Sequence, residues 1–392
     1  MNLDASKRTV LLLAIAQALY SCCVITVFTT AGLVGLVIAP AKWLATMPVT
    51  SFVIGSMITT VPASLMMQRY GRRPVFAFGA VVCMLGALLA AYAIFHANFW
   101  LFCLATAMQG VFQATSGYYR FAAAECAGPE NKSIAISWVL TGGVVAAVVG
   151  TLVAGGTSDL FAPFTFAGSY LAVAVFALLN LVVIGALNLP KPSQDEVSGP
   201  QRSWPELLQQ PRLIIAMASA MIAYALMNFM MTATPVAMIG CGFSKDAAKW
   251  VVQWHVLAMF VPSFFTGVLI KRFGMELITS LGMVLLVSSG VVGLLGTSFG
   301  HFSVAMMLLG LGWNFGFIGG TTMLTECYRP SERGKVQAAN DFGISTLMAV
   351  ASFSSGQMLD GFGWVSVPIM VVPIAAIMLA TLLVSSRRKV VA

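Results

Sequence analysis

The sequence predicts an all-α membrane protein of twelve transmembrane helices in two six-helix halves. Three observations carry that expectation. Charged residues make up 9% of the chain and hydrophobic ones 59%, with a mean hydropathy of +0.91, whereas a soluble domain carries about 25% charged residues. The apolar residues fall in long runs, each near the roughly 20 residues a helix needs to cross a bilayer. Short polar signatures in the first half of the chain recur in the second half at matching places.

In order, the expected spans cover about 9–32, 43–67, 74–95, 99–122, 133–156 and 167–188, then 212–235, 248–270, 277–297, 302–325, 335–358 and 364–385. Residues 1–8 are short and polar, and the apolar run after them is too long for a signal-peptide core, so the first helix is expected to be retained. Residues 189–211 are polar and bounded by prolines, which marks a cytoplasmic linker between an N-terminal half, 1–188, and a C-terminal half, 212–392. Within the linker, Ser-Trp-Pro-Glu-Leu-Leu reads as a short interfacial helix with Trp204 at headgroup level.

Charge placement orients the chain. Of the 21 Lys and Arg, all but Lys42, Lys245 and Lys249 fall on one side of this topology. That is the positive-inside pattern and puts both termini in the cytoplasm. It also accounts for the net charge of +8 without a nucleic-acid partner. The partner it implies is the lipid bilayer.

The halves repeat. Arg69-Tyr70-Gly71 is matched by Arg272-Phe273-Gly274, and Glu125-Cys126 with Pro129 by Glu326-Cys327 with Pro330. Two six-span halves in parallel repeat imply a transporter with substrate bound near the midplane. Asp341, Glu125, Glu326 and Arg120 lie near inner helix ends, where ion pairs between the halves are expected. Trp313 and Asn314 face either a cavity or a neighbouring helix. No paired carboxylates, nucleophile constellation or phosphate loop stands at a plausible site, so an enzyme and a bound cofactor are not expected.

One hairpin stands out. Met227 and Met231 are four apart in one span, and His255 and Met259 are four apart in the next. A spacing of four puts side chains on one helix face, and thioether with imidazole suits Cu(I). Cys241, in the outer loop between them, adds a soft thiolate. The plainer reading stands beside it: the chain has 23 Met, Met commonly fills gaps in apolar helices, and Cys241 fills a turn between two glycines. An ionisable residue at membrane depth is nevertheless a functional candidate.

With these residues in view, the chain resembles the major facilitator superfamily over nearly its whole length. The loop after span two in that family reads Gly-x-Leu-x-Asp-Arg-x-Gly-Arg-Arg; here it runs from Ser64 to Arg73, with Gln68 in place of the Asp and Ser64 in place of the first Gly. Drug antiporters of the superfamily carry an Arg three residues before a Gln-Gly pair; here Gln109-Gly110 follows Thr106, and the Gly-Pro of span five is Gly150-Thr151. The two hairpin motifs together resemble the CcoA-like copper importers. That resemblance implies a multi-pass protein of the bacterial inner membrane that imports copper by alternating access for cytochrome c oxidase assembly. Met227, Met231, His255 and Met259 would be its metal ligands; Cys241, from its own place in the outer loop, is a candidate capture residue beside them. Copper would be the transported substrate, with copper chaperones on either side as partners. The same branch contains a riboflavin importer, so import of a small organic solute such as riboflavin is the alternative. A copper-binding assembly or sensor protein that transports nothing is the alternative of another class.

Overall fold

The computed structural model describes residues 3–41, 44, 47–189 and 199–391. Residues 190–198 of the expected linker, with Lys191, and the outer Lys42 lie outside the described residues. The described secondary structure is helical throughout. The helices are α1 (Leu3–Ile38), α2 (Met47–Tyr70), α3 (Arg72–Phe95), α4 (Phe99–Ser116), α5 (Tyr119–Ala127), α6 (Lys132–Leu140), α7 (Gly142–Gly156) and α8 (Ala167–Gly185). They continue as α9 (Trp204–Leu208), α10 (Pro211–Gly240), α11 (Lys245–Phe260), α12 (Ser263–Phe273), α13 (Met275–Leu295), α14 (Phe299–Leu324), α15 (Arg333–Phe362) and α16 (Ser366–Val391).

Among the described residues, nine helical stretches are long and apolar enough to span a membrane, and a tenth is the pair α11 and α12, bent by 40°. All twelve expected spans fall on helices. Two of them are weaker as membrane segments than the sequence predicts. The span expected at 99–122 is broken between α4 and α5 at Gly117 and Tyr118, and α4 carries Gln109 and Gln113. The span expected at 335–358 falls on α15, which carries Lys335, Asn340, Asp341 and Asp360. The bend between α11 and α12 sits at Val261–Pro262, where proline removes a backbone donor.

Local chemistry sets the helix boundaries. Asn98 starts α4 by accepting from the Leu101 amide at 3.0 Å, and Ser244 starts α11 by accepting from Ala247 at 3.1 Å; both satisfy amides that a helix start leaves free. Ser203 and Glu206 form a reciprocal capping box on the short linker helix α9,. The repeated Arg-aromatic-Gly signature has a backbone cause. Gly71 between α2 and α3 has φ 86°, and Gly274 between α12 and α13 has φ 89°, a region that glycine enters without steric cost.

The chain divides into two compact units. The first comprises Met1–Pro129, Trp138–Pro200 and Pro330–Phe342. In it α1 packs on α7 and α8, α2 on α4, and α3 on α4 and α8. The α2–α4 contact is backbone to backbone: a Cβ at Gly110 would collide with the Phe52 carbonyl. Small residues of this kind are what allow membrane helices to approach closely. The same unit holds a partly buried polar network. Arg72 donates to both carboxylate oxygens of Glu125 and, at 3.1 Å, to Gln337. Arg333 donates to Glu125 at 3.2 Å. Arg120 donates to Asp341 at 2.5 Å. Thus Glu125, Arg120 and Asp341, which stand out in the sequence, do form ion pairs between distant parts of the chain. At the departures from the family motif, the Ser64 hydroxyl donates to the Gly334 carbonyl at 2.7 Å, and Gln68 lies where a Cβ at Gly334 would be.

The second unit comprises Glu130–Ser137, Gln201–Arg329 and Gly343–Ala392. Its α14 is the central element, buried along most of its length and packed on α13, α10 and α11. Glu326 pairs here with Arg212 at 2.7 Å.

Candidate functional site

Four aromatic side chains of the second unit meet at one stripe of α14. Met306, Gly310, Trp313 and Phe317 follow spacings of four, three and four, which keeps them on one helix face. Trp313 is 1% exposed. Its ring stacks on Phe317 with centroids 5.1 Å apart and planes within 12°. Tyr224 of α10 meets the Trp313 ring edge-on at 5.4 Å, and Phe260 of α11 does so at 5.6 Å. The Trp313 indole N–H is buried with no hydrogen-bond partner among the described residues.

His255 of α11 lies against the same stripe. It is 0% exposed, and its Nδ1 lies 2.8 Å from the Met306 carbonyl oxygen. A Cβ at Gly310 would sit 2.6 Å from the His255 backbone oxygen and 3.0 Å from the Met259 nitrogen, so glycine is what lets α11 approach α14 here. Asn314 completes the contact. Its amide donates to the Met259 carbonyl and to the Ser263 hydroxyl, each at 2.6 Å, and its oxygen accepts from Thr266 at 2.6 Å. These bonds bridge the bend between α11 and α12. Of the cavity and packing alternatives for Asn314, the structure shows the helix contact.

The other hairpin residues are placed as follows. Met227 and Met259 are buried at 4% and 6% exposure, Met231 is half-buried, and Cys241 is exposed in the turn after α10. Met230, beside this set, has its sulfur 3.5 Å from the Ser289 hydroxyl of α13, which donates to the Ala305 carbonyl at 2.7 Å. The neighbouring Asn228 donates to the Met348 carbonyl of α15 at 3.1 Å. Among the described residues, no three His, Cys, Asp or Glu side chains gather as metal ligands.

The first unit carries a cluster of carboxamides. The Tyr20 hydroxyl of α1 donates to the Gln113 side-chain oxygen of α4 at 3.1 Å, and the Tyr20 ring packs edge-on against Phe112 at 5.4 Å. Gln17 donates to Ser21 at 3.2 Å. Gln109, one turn from Gln113, has a buried side-chain oxygen with no partner among the described residues. Each unit therefore joins aromatic surface to a few polar atoms, and burial of unsatisfied polar atoms is costly enough that each calls for a partner. Tyr20, Gln113, Tyr224, Phe260 and Phe317 do not stand out in the sequence, because an aromatic or amide in an apolar helix has no spacing signature of its own.

Comparison with known proteins identifies the relatives. A family model described as the Major Facilitator Superfamily matches residues 13–243 and 217–391. The riboflavin transporter RfnT of Brucella anthropi is 44% identical over 387 residues, covering 98% of this chain and 97% of its own. The uncharacterized MFS-type transporter YdeG of Bacillus subtilis is 26% identical over 379 residues, covering 92% and 87%. Among solved structures, the proton:xylose symporter XylE aligns over 96% of both chains with a TM-score of 0.77 at 15% identity. The outward conformation of FucP aligns over 96% of this chain and 97% of its own with a TM-score of 0.75 at 13% identity.

These findings correct the functional expectation. A copper importer serving cytochrome c oxidase, with copper ion and copper chaperones as partners, is overturned by a nearly full-length relative described as a riboflavin transporter. The resemblance to the copper importers rested on two four-residue spacings. Helix packing produces the same spacings, and the His255–Met259 segment has a packing role against Met306, Gly310 and Asn314. The fold expectation stands: this all-helical, multi-pass membrane protein belongs to the major facilitator superfamily.

Proposed function

We propose that this protein carries riboflavin, or a flavin close to it, across the bacterial inner membrane into the cell by alternating access. The observation that carries this reading is the 44% identity to the Brucella anthropi riboflavin transporter over 98% of the chain. The aromatic chemistry of the second unit supports it. Riboflavin joins a flat aromatic ring system to a polar pyrimidine edge and a flexible polyol. Aromatic side chains recognise such a ring, and Trp313, Phe317, Tyr224 and Phe260 form an aromatic cluster in the second unit. The solute is uncharged at neutral pH, so binding needs no buried counter-charge. The Lys and Arg bias of the loops supports an orientation with both termini in the cytoplasm. No chemical step on the solute is part of this reading.

Riboflavin uptake tests it. Cells that cannot make riboflavin and lack an importer of their own should grow on low external riboflavin when they express this chain. Proteoliposomes holding the purified protein should accumulate riboflavin faster than empty ones. Normal protein levels with no riboflavin uptake in either assay would overturn the proposal.

A further inference from the structure

We propose that His255 reads the polyol of the substrate, its Nε2 accepting a hydrogen bond from a ribityl hydroxyl. The inference rests on the flavin reading and adds to it the residue that recognises the side chain rather than the ring.

The tautomer follows from the hydrogen bond already present. The Met306 carbonyl 2.8 Å from Nδ1 can only accept, so Nδ1 carries the hydrogen. In the neutral imidazole Nε2 is then a lone pair that can only accept. That atom is buried and has no partner among the described residues. A buried polar atom without a partner costs free energy, and a donor that arrives with the substrate removes the cost. Binding is then favoured for solutes that bring a donor and not for those that lack one.

The position fits a flavin. His255 contacts α14 at Met306, and Trp313 is seven residues further along the same stripe, about 10 Å away at the α-helical rise. A ring whose carbonyl accepts from the Trp313 indole N–H has its polyol within reach of Met306 and His255. The second orphan beside this stripe, the Trp313 indole N–H, is a donor, and a flavin ring presents carbonyl acceptors. One solute with acceptors on its ring and hydroxyl donors on its side chain satisfies both orphans at once. The ring recognises Trp313 and the polyol recognises His255. The side chain is held rigidly: the Nδ1 bond and the close backbone approach at Gly310 fix the imidazole, so the lone pair is preorganised.

The test compares riboflavin with lumiflavin, which has the same ring and a methyl group in place of the polyol. Binding to the purified full-length protein is read by quenching of flavin fluorescence. The wild type should bind riboflavin about ten- to a hundredfold more tightly than lumiflavin, the range expected for one buried acceptor satisfied or left bare. His255→Asn keeps an N–H for the Met306 carbonyl and removes the acceptor at the Nε2 position. It should weaken riboflavin binding by that factor and leave lumiflavin binding within about twofold. His255→Gln, whose longer side chain returns an amide oxygen to that depth, should recover part of the preference. A second measurement needs no variant. The chain has only three histidines, so 15N-histidine labelling of the wild type resolves the unprotonated Nε2 of His255, and its signal should move on adding riboflavin but not lumiflavin.

An equal loss of both flavins in His255→Asn would make His255 a structural residue and overturn the inference while leaving the flavin reading intact. So would an Nε2 signal that responds to neither flavin, as it would if a resident water filled the site. A wild-type protein that binds neither flavin would overturn both.

Discussion

Arg120 and Asp341 lie 221 positions apart in the chain, yet the guanidinium donates to the carboxylate at 2.5 Å with side-chain exposures of only 9% and 12%. Arg120 also donates to the Gly117 carbonyl at 2.9 Å, and Asn340 donates to the same Asp341 oxygen at 2.9 Å. The pair thus sits at the break between α4 and α5 and at the N-terminal part of α15. Removing one partner leaves the other charge buried. Asp341→Asn should therefore destabilise the protein by about 3–5 kcal/mol. The double variant Arg120→Leu/Asp341→Leu should lose less than the sum of the two single leucine variants, because neither charge is left bare. Thermal unfolding midpoints of the purified protein in detergent check this; additive losses would mean that the two charges do not depend on each other.

The α11–α14 contact depends on one missing methyl group. In Gly310→Ala the new Cβ meets the backbone of His255 and Met259 at 2.6 and 3.0 Å, and backbone cannot rotate away. The helices must separate, which strains the Asn314 bridge and the His255–Met306 bond. A loss of about 1–3 kcal/mol is expected for such overpacking, together with weaker flavin binding. Gly300→Ala in the same helix meets only the Ser298 hydroxyl at 3.7 Å and should change stability by less than about 0.5 kcal/mol. Equal melting midpoints for the two variants would refute the close-contact account.

Much of the fold is legible in the sequence because its cause is local. A run of apolar residues long enough to cross a bilayer can do little else, and the repeated glycines at 71 and 274 mark turns whose φ values only glycine takes easily,. The breaks are less legible. Pro262 announces the bend after α11, but nothing so plain marks Gly117–Tyr118, where the polar Arg120–Asp341 pair occupies the position. The site is legible only in part. A spacing of four says which residues share a helix face and not what that face meets. His255 stands out for its ionisable ring at membrane depth, and the structure sets that ring against a carbonyl of α14. Trp313 stands out with its role open. Tyr224, Phe260 and Phe317 converge from three helices more than 30 positions apart in the chain, a tertiary fact that no local pattern encodes.

Cys241 separates topology from function. It is exposed in the turn after α10, while the other six cysteines are buried. A membrane-impermeant maleimide added to intact cells should label the wild type, and Cys241→Ser should abolish the labelling. The same variant should take up riboflavin at the wild-type rate, since the turn belongs to neither the aromatic nor the carboxamide cluster. Labelling that requires lysed cells would reverse the proposed orientation.

Trp313 gives the sharpest test of the aromatic cluster. Its ring is stacked on Phe317 and meets Tyr224 and Phe260 in T-shaped contacts, so its plane is fixed before any solute arrives. Replacing an aromatic that contacts a heterocyclic ring costs about 1–3 kcal/mol. Trp313→Ala should therefore weaken riboflavin and lumiflavin alike, by about five- to a hundredfold, since both carry the ring. Trp313→Phe keeps an aromatic face and loses the indole N–H, so its loss should be smaller, again equal for the two flavins. This pattern is the opposite of the one expected at His255, where only the polyol-bearing flavin responds. Fluorescence titration of both flavins against the three proteins checks it. If Trp313→Ala binds riboflavin as tightly as the wild type, the ring is recognised elsewhere and the α14 stripe is a packing core.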